Sequence, residues 1–141
     1  MSGETSHSPL AAALDAVGDR WSLRVVAALL DGPRRFGDLE SELSGIAPNV
    51  LTSRLRHLES HGVVLAEPYS ERPPRFVYEL TASGRDLAAA LRVLSDWGAR
   101  HREGAETPRH AVCGTELEAP WYCTTCERPV ADGEAADTHF A

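Results

Sequence analysis

The sequence predicts a mainly α-helical fold with one small β-hairpin, followed by a short ribbon-like segment built around metal-ligand residues. Three stretches carry that expectation. From Pro48 to Gly62 a helical period places Leu51, Leu55 and Leu58 on one face and Asn49, Ser53, Arg56 and Ser60 on the opposite one, with Thr52 on the shoulder. Directly after it, Val63–Tyr69 and Phe76–Leu80 are rich in β-branched and aromatic residues and flank the polar run Ser70 to Arg75. Near the end stand His110-x₂-Cys113 and Cys123-x₂-Cys126, two ligand pairs with a spacing suited to a metal ion.

The elements follow in order. Residues 1–8 are polar and read as a frayed start. Pro9, tolerated at a helix start because its missing N–H costs nothing there, opens a short helix with Leu10, Leu14 and Val17 one turn apart. Gly18-Asp19 breaks it, and a second helix carries Trp21, Val25, Ala28 and Leu29 on one side. Asp31-Gly32-Pro33 turns the chain into a third helix around Phe36, Leu39 and Leu43, and Ser44-Gly45 makes the next turn. The Pro48 helix then begins with Pro in its first turn and ends at Gly62, a residue suited to a left-handed cap. Two prolines stiffen the hairpin tip and hold Arg72 and Arg75 away from the body. Thr81 caps a long last helix with Leu87, Leu91, Leu94 and Trp97 on one stripe, which Gly98 and the Gly104–Pro108 linker end. Two helices joined by a tight turn, the second with a polar outer face and a hairpin behind it, make a winged helix-turn-helix. The expected division is 9–103 for this domain and 108–131 for the ribbon.

Composition narrows the partners. The chain has 141 residues, a hydrophobic share of 43% and a net charge of −7. No apolar run approaches a membrane span, and MSGETSHSPL has neither the basic start nor the apolar core of a secretion signal, so a cytoplasmic protein is expected. The charge is unevenly spread: residues 1–103 hold 12 Arg against 14 carboxylates, whereas residues 104–141 hold 2 Arg against 7. The overall acidity is therefore largely a property of the tail and does not exclude nucleic acid for the first domain. The three Cys all lie in the tail, and an odd number cannot pair completely within one chain, which fits a reducing compartment. No G-x-S-x-G elbow, P-loop, dinucleotide fingerprint or H-E-x-x-H helix is present, so catalysis is not expected.

The outer face of the Pro48 helix offers hydrogen-bonding groups and a cation and is expected to be free of carboxylates. Such a face suits the major groove of DNA, where Arg pairs with guanine and Asn with adenine. A winged-helix protein-interaction module would instead present large apolar residues there. The apolar stripe of the last helix exceeds what a small domain needs to cover itself, so a homodimer is expected, with its two recognition helices about 34–36 Å apart on a (pseudo)palindromic site.

The span Leu14–Trp97 resembles the HxlR-type winged helix-turn-helix regulators, relatives of the MarR group. The resemblance rests on Gly18-Asp19-Arg20-Trp21, Gly32-Pro33-Arg34-Arg35-Phe36, Gly45-Ile46-Ala47-Pro48, Leu51 to Glu59, Gly62-Val63-Val64 and Pro73 to Thr81, with Gly84 and Trp97-Gly98 behind them. It implies a transcription factor, a repressor by analogy, that dimerises through its first and last helices, sets the recognition helix in the major groove and touches the neighbouring backbone or minor groove with its wing. It leaves room for a small-molecule effector. Members of this family often carry a Cys near the start of the domain, where some sense electrophiles or oxidants; the corresponding stretch Ser6–Leu14 has none, so sensing through that position is excluded. On this reading Asn49, Thr52, Ser53 and Arg56 contact bases or nearby phosphates. Arg34, Arg35 and Arg54 bind phosphate, Arg54 having the alternative of pairing with a carboxylate such as Glu59, and Arg72 and Arg75 act at the wing.

In the tail, two ligand pairs on tight turns can set four donors tetrahedrally around Zn²⁺, with His110, Cys113, Cys123 and Cys126 as the expected structural set and His139 as an alternative fourth ligand. The tail has few apolar residues, too few for a core, so metal binding would supply the missing folding free energy. Glu127 stands where such a turn commonly has Gly. Two other readings stay open: a reversible Cys123–Cys126 disulfide, making the chain a metal- or redox-responsive regulator, and inert thiols.

Overall fold

The computed structural model describes residues 8–102, 104 and 106–134. The elements run α1 (Pro9–Val17), α2 (Ser22–Leu29), β1 (Arg34–Arg35), α3 (Phe36–Glu42), α4 (Pro48–Ser60), β2 (Val64–Glu71), β3 (Pro74–Leu80), α5 (Ala82–His101), β4 (Tyr122–Cys123) and β5 (Arg128–Pro129), then a 3₁₀ turn at Asp132–Glu134. The chain divides into two compact units, Met1–Leu91 and Arg92–Ala141. The boundary between these units falls inside α5. No helix among the described residues is long and apolar enough to cross a membrane.

The first unit is organised by one apolar core. Leu51, Leu55 and Leu58 of α4 are buried, as their helical spacing requires, together with Val25, Val26 and Leu29 of α2, Leu39 of α3, and Val63, Val64 and Leu80 at the base of the hairpin. Ser8 caps α1 by accepting the Ala11 N–H at 3.0 Å, and Pro9 follows at the first helical position. At its far end α4 stops at Gly62, whose φ of 69° is open to a residue without a side chain, and the Val63 N–H returns to Leu58 O at 2.9 Å.

The sheet is antiparallel with order β1-β3-β2. Arg34 pairs with Tyr78 and Arg35 with Val77, so the two arginines form a short third strand that residue types alone did not announce. Strand pairing between β2 and β3 continues to Glu71↔Pro74, with an irregularity between Pro68 and Ser70. The tip is therefore only Arg72-Pro73, shorter than the run Ser70–Arg75, and Arg75 lies within β3. A third difference concerns α5, which passes through Gly98 and ends at His101; the helix tolerates a mid-helix Gly at a cost of about 1 kcal/mol.

The start of α5 is fastened to the hairpin base. The Thr81 N–H donates to Val63 O at 3.1 Å, its hydroxyl donates to Gly62 O, and the Gly84 N–H donates to Thr81 Oγ1 at 3.1 Å. A Cβ at Gly84 would stand 2.3 Å from Val63 O, so this approach is possible only for glycine.

In the second unit the tail forms two small hairpins. One pairs Arg109 with Glu116 around the turn His110–Thr115, closed by His110 N–H to Thr115 O at 2.8 Å. The other pairs β4 with β5 around Thr124–Glu127, with Val130 N–H to Trp121 O at 2.8 Å. Arg100 bonds Asp96 at 2.9 Å and reaches Glu116 at 3.4 Å, and Arg109 also meets Glu116 at 3.4 Å.

Candidate nucleic-acid interface

Helices α3 and α4 and the turn between them form the helix-turn-helix, and β2–β3 form the wing. Burial of the three leucines fixes which side of α4 faces out: Asn49, Ser53, Arg56 and Ser60 are exposed and Thr52 is half-buried. Thr52 back-bonds through its hydroxyl to Pro48 O at 3.0 Å, so its proton is committed to its own helix. Asn49, Arg56, Arg72 and Arg75 make no side-chain hydrogen bond or ion pair among the described residues and are free to meet a ligand. The ridge Asn49–Ser53–Arg56–Ser60 is without a carboxylate, but its shoulder is not. Glu59 lines a cleft toward the wing with Thr52, Arg56, Ala66, Phe76 and Tyr78. Burial, and then the Glu59 charge, push the Tyr78 phenol up, while Arg56 pulls it the other way.

The other predicted phosphate ligands are already engaged. Arg34 Nε lies 2.9 Å from Glu42 Oε1. The Arg35 guanidinium stacks 4.7 Å from the centre of the Tyr69 ring, and its backbone N–H donates to Asp38 Oδ2 at 3.1 Å at the start of α3. Arg54 pairs with Asp19 Oδ2 at 3.3 Å, not with Glu59. The pair is a clamp between α4 and the start of α2, because Asp19 also accepts the Trp21 and Ser22 N–H groups at 2.9 and 3.0 Å and the Ser22 hydroxyl. Burial raises the Asp19 pKa, but those hydrogen bonds and Arg54 outweigh it and hold the carboxyl at about 2.

A second clamp is not visible in the sequence. His57 Nε2 lies 3.0 Å from both Asp15 O and Ala16 O, so the recognition helix is tied to the carbonyl end of α1. The His57 ring also lies 4.4 Å from that of His61. Sequence reasoning also passed over Arg20, which lines a concavity with Trp21, Asn49, Ser53 and Arg54 beside the first turns of α4. Arg20 and Arg24 flank Trp21, at 5.0 and 4.6 Å from the ring centre. The motif Gly18-Asp19-Arg20-Trp21 was the available signal, since it places a cation next to the capping Asp19.

The predicted metal ligands form two pairs and not one cluster. His110 Nδ1 is 3.3 Å from Cys113 Sγ, and the Cys126 N–H donates to Cys123 Sγ at 3.4 Å. Among the described residues no three His, Cys, Asp or Glu side chains are gathered to hold a metal ion. The alternative ligand His139 lies outside the described residues. Contact with Thr115 and then His110 lowers the Cys113 thiol to about 7.

A helix-turn-helix packed on its own core, with an exposed polar ridge and a hairpin that carries Arg72 and Arg75, defines the winged-helix class of transcriptional regulators. Residues 16–106 match the HxlR-like helix-turn-helix family, and the chain belongs to it. It is 42% identical over 118 residues to an HTH-type transcriptional regulator of Mycobacterium tuberculosis, covering 81% of this chain and 74% of that one. An HTH-type regulator of Synechocystis is 40% identical over 99 residues, covering 67% and 73%. Among solved structures, the redox regulator HypR in its reduced form superposes with a TM-score of 0.63 at 33% identity, over 69% of this chain and 96% of that one. PA1607, a proposed transcription factor, matches along 98% of this chain and 99% of its own, with a TM-score of 0.72 and 29% identity. These relatives are regulators, which fits a non-enzymatic role.

Proposed function

We propose that this chain is a cytoplasmic, sequence-specific repressor that binds duplex DNA as a homodimer. The observation that carries the reading is the exposed ridge of α4. Asn49, Ser53 and Arg56 project from a helix whose opposite face is locked into the core and whose flanks are clamped by Arg54–Asp19 and His57. A rigid helix on which Asn49 and Arg56 have no side-chain partner among the described residues can enter a major groove without first paying to order itself, and Arg and Asn read guanine and adenine there. Arg72 at the wing tip and Arg75 on β3 reach the neighbouring backbone or minor groove, adding sequence-independent attraction. Arg34, Arg35 and Arg54 keep part of their donor capacity for phosphate while holding the domain together. The ridge bears no large apolar side chain, which disfavours a protein-docking role for this face.

Dimerisation is supported by apolar side chains left uncovered on the two helices concerned. Leu10 and Leu14 of α1 are 46% and 55% exposed, and Val93, Leu94 and Trp97 of α5 between 51% and 55%. Apolar groups at such helical spacing favour burial against a second copy. The reading is tested by selecting bound sequences from a random duplex pool and sizing the complex. The expected result is one enriched motif with two-fold related half-sites, bound by two chains, that silences transcription when placed over a promoter. Absence of any enriched motif at low ionic strength would overturn it.

A further inference from the structure

The tail combines two features that belong together only if something is bound. None of its described residues from Gly104 to Glu134 whose side chains are placed is buried, and its apolar side chains stay in solvent: Val112 is 87% and Trp121 72% exposed. Yet its backbone is folded into two short hairpins, one held by a single bridge and the other by a two-residue ladder. A segment without a core does not order its backbone through the hydrophobic effect, and small domains in that position use a disulfide or a metal.

The turns show which. Each carries two soft or borderline donors three residues apart, and in each the residue after the second donor is left-handed. Gly114 follows Cys113 with φ 73°, and Glu127 follows Cys126 with φ 52°. Glu127 is the only residue other than glycine with positive φ among the described residues, and a side chain there is strained. One turn also aims a backbone donor at sulfur: the Cys126 N–H points at Cys123 Sγ, whereas the Gly114 N–H closes its own turn on His110 O at 2.7 Å. A backbone N–H aimed at sulfur stabilises thiolate, the form that ligates metal.

We propose that His110, Cys113, Cys123 and Cys126 bind one zinc ion per chain, and that the ion draws the two hairpins together. The structure holds the two halves of this site separately, and the ion supplies the bond between them. Three sulfurs and one imidazole suit tetrahedral Zn²⁺ better than a hard cation that prefers oxygen. On binding, the three thiols lose their protons to solvent, so the completed site carries one net negative charge and no electron is transferred. The ion closes a folded segment with no open coordination position, which makes the site structural.

The test uses the full chain, purified under reducing conditions without chelator and analysed for metal, then stripped and titrated with Co²⁺ as a spectroscopic probe. The expected result is close to one zinc per chain, with intense tetrahedral Co²⁺ bands and a thiolate-to-cobalt charge-transfer band that zinc abolishes. Cys113→Ser, Cys123→Ser and Cys126→Ser should each weaken Co²⁺ binding at least tenfold and reduce the charge-transfer intensity. His110→Ala should weaken binding at least tenfold and leave that intensity largely intact. Amide exchange in residues 108–130 should slow on zinc addition while residues 9–91 stay unchanged. Less than half a zinc per chain, weak octahedral Co²⁺ spectra, a Cys123–Cys126 disulfide in the metal-free protein that blocks uptake under reducing conditions, or loss of binding in His139→Ala with His110→Ala silent would each overturn the assignment. Because none of these readouts involves DNA, failure here leaves the DNA-binding reading standing.

Discussion

The two units of this chain are held together in opposite ways. In Met1–Leu91, thirteen apolar side chains are buried and the polar groups that matter are fastened to that core. In the tail the backbone also forms hairpins, each one or two residue pairs long, but the apolar side chains remain in solvent. Backbone pairing is therefore no sign of a core. Where a core exists, substitutions act through packing and cavities. Where it does not, they act through turn geometry and charge, and stability waits on a ligand.

The largest expected effect that sharpens this contrast is a cavity in the first unit. Leu51→Ala should cost about 2–5 kcal/mol in chemical unfolding, because Leu51 is fully buried and its neighbours on α2 and β2 cannot collapse into the space. The same truncation at Val112 in the tail should leave the unfolding midpoint unchanged. Next comes Gly84→Ala. The gain in helix propensity is outweighed by the clash with Val63 O at 2.3 Å and with Leu80 Cδ2 at 3.0 Å. A net loss of about 1–3 kcal/mol should appear in thermal unfolding, with the wing partly detached from α5.

A smaller effect follows from Asp19. Its folded-state pKa of about 2 lies below the ordinary 3.8, so the unfolded chain takes up the proton first. The stabilisation is fully present above the ordinary value and is lost as pH falls from there toward 2. Solvent screening at this partly exposed site limits it to about 1–2 kcal/mol. Asp19→Asn should remove that portion of the acid dependence in pH-dependent unfolding; an unchanged acid limb would show that the clamp contributes nothing. The smallest effect is at the wing tip, where Arg72→Ala should leave stability alone, weaken DNA binding evenly across sequences and reduce the salt slope by about 1.

Local chemistry explains what could be read in advance. Pro48 and Gly62 bracket α4 because one needs no N–H and the other needs positive φ, and the leucine spacing then dictates which face is exposed. What escaped is non-local. Arg34-Arg35 becomes a strand only because β3 lies alongside. Arg54 chooses Asp19 over Glu59 because α2 starts next to α4. His57 meets carbonyls more than forty residues earlier in the chain. The shoulder position of Glu59 was readable from helical angle, but its effect depends on Tyr78 and Arg56 sharing the cleft. In the candidate site the exposed ridge was thus legible and its supports were not.

The role of the α4 ridge is decided by one paired titration: the native chain and Arg56→Ala, each against the selected duplex and a scrambled one of equal length. A lost base contact should weaken binding to the selected duplex by about 1–3 kcal/mol, roughly five- to 150-fold, and change binding to the scrambled duplex little. Equal affinity of both proteins for both duplexes would contradict the assignment of α4 as the element that reads DNA.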